Sequence, residues 1–477
     1  MEWYRVYMAH TKIVATLGPA TDRPGVLDEL VEAGVDVFRL NASHSTQEQQ
    51  QRRIHEIRAA LAKAGRKHTA ILVDLQGPKI RLGSFEGGGA ELQTGAEFTI
   101  TTEPVTGTAE RASTSYADFA RDVRPGNRIL LADGSIELRA IASDGVAVRT
   151  AVVSGGRISD RKGINLPGVR VSSPSLTDKD AADLDFAVRE GVDLIAISFV
   201  RTAADVVQVR HRMRGKALPI VAKIEKPEAW ENIDAILQAA DGAMVARGDL
   251  GVEVALEKVP RIQKSIIRRA RRLGRFVITA TQMLESMTEN PTPTRAEVSD
   301  VANAIYDGTD AVMLSAETAM GKDPAESVRV MERIALETEN AIRARGFQDP
   351  VRGAALTIAE ILADSAFRAA RDADAAAIVV FTSSGSSARL ISRYRPPVPI
   401  YAITQRDTVA RQLAVAYGVT PVLAPEVEST DQMLEQMDRL LLESGYVKFG
   451  QPVVFVAGQP IGRPGTTNLM KIHRIGH

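Results

Sequence analysis

The sequence predicts an α/β fold in three parts: a TIM (β/α)8 barrel, an all-β lid domain inserted into it, and a C-terminal open-sheet α/β domain. Three observations point there. Eight short apolar runs alternate with segments of helical period. Between the third and fourth runs the helical period disappears and short alternating stretches take over. After about Gly346 the alternation of β and α restarts. At roughly 150 residues per domain, 477 residues leave each part room for a core of its own.

The runs are KIVATLG, VDVFRLN and TAILVDLQG, then VDLIAISFV, LPIVAKIEK, GAMVARGDLG, RFVITATQML and DAVMLSAETA. Helical period marks Gln47 to Ala64, Lys179 to Glu190, Val259 to Leu273 and Ala325 to Arg343. An open doubly wound sheet gives similar strings. Polar residues gather at the C-terminal end of nearly every run, the face on which barrel sites are built, and this favours the barrel, assigned to residues 1–81 and 165–345. The insert, residues 82–164, carries AEFTI, NRILLADGSIELRAI and GVAVRTAV among Gly, Thr, Asp and Pro, with no helical period. Leaving the C-terminal face of strand three, it can close over the site as a lid. Residues 346–477 begin with an Ala-rich helix, Ala354 to Arg371, followed by AAIVVFTSSGSS, VPIYAIT, a helix near Arg411, TPVLAP, QPVVFVAG and TNLMKIHRIG.

Lys plus Arg (59) equals Asp plus Glu (59), so no global charge draws the chain to nucleic acid or an anionic membrane. Absence of cysteine excludes disulfides and thiolate chemistry. With no leader-like pattern in MEWYRVYMAH and no apolar run near about 18 residues, a cytoplasmic protein is expected.

The run ends supply candidate chemistry: Arg39, Asn41, Ser43 and His44; Asp74, Lys79 and Arg81; Lys223 and Glu225; Arg247, Gly248 and Asp249; Thr279, Thr281 and Gln282; Ser315, Glu317 and Thr318. Any one of them reads equally well as a solvated strand end; six on one face point to a site. Glu225 and Asp249 end neighbouring strands, and two carboxylates plus substrate oxygens suit Mg2+. Lys223, two residues before Glu225, brings an ammonium to the same side, against the alternative of a structural ion pair. The Gly248 and Asp249 amides suit a carboxylate or phosphate. The Thr281 hydroxyl suits a carboxylate or a proton relay, or else Thr281 is a plain β-branched strand former. No HExxH pairing or Walker A motif is present. Thr382, Ser383, Ser384, Gly385, Ser386 and Ser387 join a strand to a helix, as an anion pocket or a simple N-cap.

Taken in order, TKIVATLGPA, RLNASH, DLQGPKIR, GINLPG, KIE, ARGDLG, TQMLESM, PTRAEVSDVANA, LSAETAMG and GTTNLMKIH resemble the pyruvate kinase family over nearly the whole chain. The resemblance implies phosphoryl transfer from phosphoenolpyruvate to ADP, giving pyruvate and ATP, with Mg2+ or Mn2+, in a homotetramer regulated by a phosphorylated metabolite. By position, Lys223 would stabilise the transferring phosphoryl group, Glu225 and Asp249 would bind Mg2+, and Arg39 the substrate phosphate. Gly248, Asp249 and Thr281 would hold the substrate carboxylate, and Thr281, Ser315 and Glu317 would relay the proton. Asn41, Ala42, Ser43, His44, Arg81 and Lys162 fall at nucleotide contacts.

Potassium-dependent relatives use side chains matching Asn41, Ser43 and Asp74 plus a threonine, and carry Glu where this chain has Lys79. Here the threonine position is Leu75, so Lys79 resembles an internal replacement for K+, which is then not required. Lys226, where many relatives have Asn, is a second departure and has no explanation from sequence. A Mg2+-dependent barrel lyase or aldolase would leave the lid and Lys162 unexplained. A non-enzymatic metabolite sensor predicts a damaged site, yet Lys223, Glu225, Asp249 and Thr281 are present.

Overall fold

The structure is a computed structural model and describes residues 9–216, 218–345, 356–461 and 465–477. Most of the stretch read for a leader, and Ala354 at the start of the expected Ala-rich helix, lie outside the described residues.

The eight runs form eight parallel strands: β1 (Lys12–Thr16), β2 (Val37–Asn41), β3 (Ala70–Asp74), β4 (Leu194–Ile197), β5 (Ile220–Ile224), β6 (Gly242–Ala246), β7 (Phe276–Ala280) and β8 (Ala311–Leu314). β1 pairs with both β2 and β8, closing the barrel. Successive side chains alternate between two cores. Val14, Val37, Leu72, Val221, Met244 and Ile278 fill the interior, while Ile13, Phe38, Ile71, Ala222, Val245 and Val277 pack against the surrounding helices. Helices start where side chains cap them: Thr46 Oγ1 accepts the Gln49 amide and Gln49 Oε1 accepts the Thr46 amide, a reciprocal cap that opens Gln47–Lys63.

The barrel floor is pinned by a repeated device. The aspartate just before each even-numbered strand accepts the backbone N–H of a residue in the preceding odd-numbered one. Asp36 takes Ile13 (2.9 Å), Asp193 takes Ile71 (2.8 Å), Asp241 takes Ile220 (3.0 Å) and Asp310 takes Val277 (2.9 Å). These carboxylates also meet a cation: Lys12, Arg58, Arg210 and Arg395 respectively.

The lid is a six-stranded sheet running from Ile164–Asn165 at one edge to Arg111–Ser113 at the other, with a separate two-stranded ribbon, around its own core of Phe98, Ile100, Ile129 and Leu138. It also contains a 3-10 turn, Glu86–Gly88, and one α-helical turn, Phe119–Asp122, where the sequence predicts only β. The C-terminal domain carries β9 (Ala377–Phe381), β10 (Ile400–Thr404), β11 (Val419–Leu423), β12 (Pro452–Gly458) and β13 (Thr467–Arg474), with β13 antiparallel at the edge. Its Ala414 and Val415 plug the floor of the barrel interior.

Candidate active site

Strand alternation aims charge into the barrel mouth. Arg39, Asp74 and Lys223 occupy inward positions at the C-terminal ends of β2, β3 and β5, where the apolar interior stops. Asp74 is 1% exposed and accepts from Arg39 Nε (2.9 Å) and Nη2 (2.7 Å), and Lys223 Nζ lies 3.4 Å away. Burial would raise the Asp74 carboxyl, but the Lys223 and Arg39 charges outweigh it and hold it below the ordinary range. Burial likewise works against a charged Lys223, yet Asp74 and Glu225 reverse the effect and raise its pKa, so the ammonium is kept. Thr16 Oγ1 accepts from Arg39 Nη1 (3.0 Å), and Ser198 Oγ accepts from Lys223 Nζ (2.8 Å).

Glu225 follows β5 and is buried. Its Oε2 accepts the Phe199 amide (2.7 Å), while Oε1 forms an ion pair with Lys223 Nζ (2.9 Å). Burial raises this carboxyl, Lys223 opposes the shift and Asp249 adds to it. A buried carboxylate that shares repulsion with Asp249 fits a divalent cation. Among the described residues no group of three or more His, Cys, Asp or Glu could hold a metal. Glu225 and Asp249 would therefore leave the remaining positions to substrate and water oxygens, as Mg2+ tolerates.

Thr281 departs from the strand reading. β7 ends at Ala280, and Thr281 (φ 69°) and Gln282 (φ 53°) turn into the left-handed region. Thr279, which alternation would place beside Thr281, faces outward and donates to Thr309 Oγ1 (3.0 Å). Arg247 holds the turn by donating to the carbonyls of Ala280, Thr281 and Gln282 while paired with Asp300. Thr281 Oγ1 accepts the Gly248 amide (2.9 Å) and donates to Ala280 O (2.6 Å), so that amide is engaged rather than free. Glu317 is buried and accepts the Ser315 amide (2.7 Å) and the Leu284 amide (3.0 Å), and the buried Ser315 Oγ has no partner.

Around the rim, Asn41 Oδ1 accepts the Ser43 amide (3.0 Å), the Ala42 carbonyl accepts Lys179 Nζ (2.9 Å), and Arg81 reaches the Arg161 carbonyl beside Lys162 on the lid (3.2 Å). His44 is half-buried; burial, then Arg81, Lys79 and Arg39, hold its pKa down. Lys79 Nζ lies 3.9 Å from Asp249 Oδ1, while the cations at Asp74 are Arg39 and Lys223. Leu75 is buried in the outer core and directs no oxygen towards the rim. In the C-terminal domain, Thr382, Ser383, Ser384, Ser386 and Ser387 line a pocket open to solvent. Thr382 Oγ1 accepts the Gly385 amide (2.9 Å), and Ser384 and Ser386 share a hydroxyl contact (3.0 Å).

Residues 8–328 match the family model described as pyruvate kinase, barrel domain, and residues 360–473 match pyruvate kinase, alpha/beta domain. The chain belongs to the pyruvate kinase family. The family makes it an enzyme, a kinase. A pyruvate kinase of Geobacillus stearothermophilus is 47% identical over 471 residues, covering 98% of this chain and 80% of the relative. One of Mycobacterium tuberculosis (strain ATCC 25618 / H37Rv) is 46% identical, covering 98% of both chains. A solved pyruvate kinase from Cryptosporidium parvum superposes with a TM-score of 0.89 at 36% identity, covering 98% of this chain and 97% of that one.

Against the pyruvate kinase motifs, two neighbours of the charged mouth went unread in the sequence, Thr16 and Ser198. Each stands at the end of an apolar run, Thr16 at β1 and Ser198 just after β4, and a polar residue at a run end is the signal that marks them. Lys226 gains an explanation: its Nζ lies 2.5 Å from Oε1 of the buried Glu253.

Proposed function

We propose that the barrel mouth transfers the phosphoryl group of phosphoenolpyruvate to ADP, forming pyruvate and ATP, with Mg2+ or Mn2+ and without added K+. The observation that carries this is Lys223, buried yet charged between Asp74 and Glu225 at the end of β5. Lys223 and Arg39 bind the substrate phosphate, with Asp74 fixing both cations beforehand, so little reorganisation is needed as negative charge builds on the transferring oxygens. A β-phosphate oxygen of ADP forms the new bond to phosphorus as the bond to the enol oxygen breaks. The divalent ion, held by Glu225 and Asp249, would neutralise phosphate and enolate charge when bound. The substrate carboxylate is held at Gly248, Asp249 and Thr281, exchanging its oxygens for contacts these groups now make among themselves. Thr281, with Ser315 and Glu317 behind it, passes a proton through water to the methylene carbon of the enolate. Asn41, Ala42, Ser43, His44, Arg81 and Lys162 take the nucleotide. Asn41, Ser43 and Asp74 outline the monovalent-cation position, with Lys79 as the charge that replaces K+. The chain works as a cytoplasmic homotetramer, and a phosphorylated metabolite binds at Thr382 to Ser387. Pyruvate release from phosphoenolpyruvate and ADP, followed in a coupled assay with MgCl2, tests the reading. No turnover by the folded protein would refute it.

A further inference from the structure

Glu253 ends the helix Arg247–Glu253, and its side chain is 1% exposed. A carboxylate so buried is retained only with partners. Its Oε1 has two, Lys226 Nζ at 2.5 Å and Asn165 Nδ2 at 3.0 Å. Each partner belongs to a different part of the site. Lys226 directly follows Glu225, and its ammonium stands 5.9 Å from the centre of the Phe199 ring. Phe199 holds a left-handed φ of 54° while its amide donates to Glu225 Oε2, a strained conformation that persists only where its surroundings enforce it. Asp249 lies one turn before Glu253 on the same helix. Asn165 is the last residue of the lid's edge strand, three residues beyond Lys162.

We propose that Lys226, Glu253 and Asn165 form a latch at the root of the lid, so that seating Lys162 over the nucleotide and setting Glu225 against Asp249 are one event. Lys226 and Glu253 are positioning residues, and the latch rests on the site reading above. A simple structural pair between β5 and the helix has no need of Asn165. The lid's own amide group on the same oxygen makes the pair sensitive to where the lid stands.

Lys226→Asn alone leaves Glu253 buried and unpaired and risks misfolding, so the test uses Lys226→Asn with Glu253→Gln, Asn165→Ala, their combination, and Lys226→Arg. The expected result is a KM for ADP raised roughly tenfold in the first two, as for a lost charge-assisted hydrogen bond, with KM for phosphoenolpyruvate unchanged. The combination should do no more than either, because the groups act as one unit. Lys226→Arg should stay near the unaltered protein. In the substrate-free enzyme, amide exchange at Ile164 and Asn165 should quicken in the first two proteins. Additive effects, equal shifts for both substrates, or unchanged exchange at the lid root would overturn the latch. If the unaltered chain makes no pyruvate, the site reading fails, and exchange alone still decides whether the latch holds the lid.

Discussion

Lys223 carries its charge against a burial cost because Asp74 and Glu225 flank it, and its raised pKa keeps it an ammonium throughout the neutral range. Lys223→Met should therefore lower kcat by roughly 100- to 1000-fold or more, while KM for phosphoenolpyruvate changes little, because the charge is needed chiefly as the phosphoryl group transfers. Steady-state kinetics with a melting curve as the folding control checks this; undiminished turnover removes Lys223 from the chemistry. Lys79 makes a different prediction. With tetramethylammonium as the sole monovalent cation, the rate should nearly match that in KCl. Lys79→Glu should lose most activity, and Leu75→Thr added to it should recover part in KCl. Strong K+ activation of the unaltered protein at constant ionic strength would count against an internal cation. Residues on the period of two were legible: Arg39, Asp74 and Lys223 face inward because strand geometry leaves them no other side. Thr281 was not, since nothing in a β-branched residue announces the left-handed turn that Arg247 imposes on it.

That turn is an element built from carbonyls, and one guanidinium serves several of them. A lysine at position 247 has one ammonium and cannot match the fork, so Arg247→Lys should leave the fold intact but let Thr281 drift, with kcat down about 100-fold. A second element is the clasp in which the helix Pro324–Ala344 takes up the segment before β1. Glu332 accepts the Ala9 amide and Glu339 those of His10 and Thr11. Burial, with Asp36 and Glu339 adding and the Ala9 amide and Lys12 opposing, pushes the Glu332 carboxyl from 4.5 up to about 7. The native state thus binds the extra proton between those values, and stability falls as pH rises through the window. Glu332→Gln should match the unaltered protein near pH 5 and exceed it by about 1–2 kcal/mol near pH 8, after allowance for partial exposure. His10, held down to about 4, slopes the other way, but is common to both proteins and cancels in the difference. Urea titrations at the two pH values decide, and a less stable variant at pH 8 would reverse the sign. Helix starts at Gln47 and Val259 were legible from their helical period. The turn Phe119–Asp122 was too short to carry any period.

At the scale of the molecule, the C-terminal domain docks on two of the four floor aspartates. Arg411 Nε meets Asp193 Oδ1 at 2.6 Å, and Arg395 Nη1 meets Asp310 Oδ1 at 3.0 Å. Asp193 opens β4 and Asp310 opens β8, which stand opposite each other in the ring. Both pairs are nearly buried, so breaking them strands charge at the interface. Arg395→Ala with Arg411→Ala should split thermal unfolding into two calorimetric transitions, the domains melting separately; a single transition would show that the remaining contacts, such as those of Ala414, Val415 and Arg393, suffice to couple them. This arrangement was hidden in the sequence, because Arg411 and Asp193 stand 218 positions apart and neither lies in a motif.

The floor pins also set a timetable for folding. Three of them join residues only 23, 21 and 33 positions apart, loops that close quickly. The fourth, Ile71 to Asp193, spans 122 positions because the whole lid lies between. The first, third and fourth quarters of the barrel can therefore condense locally, whereas the second must await the collapse of the insert. In a pulse-labelling experiment, the Ile71 amide should gain protection after those of Ile13, Ile220 and Val277.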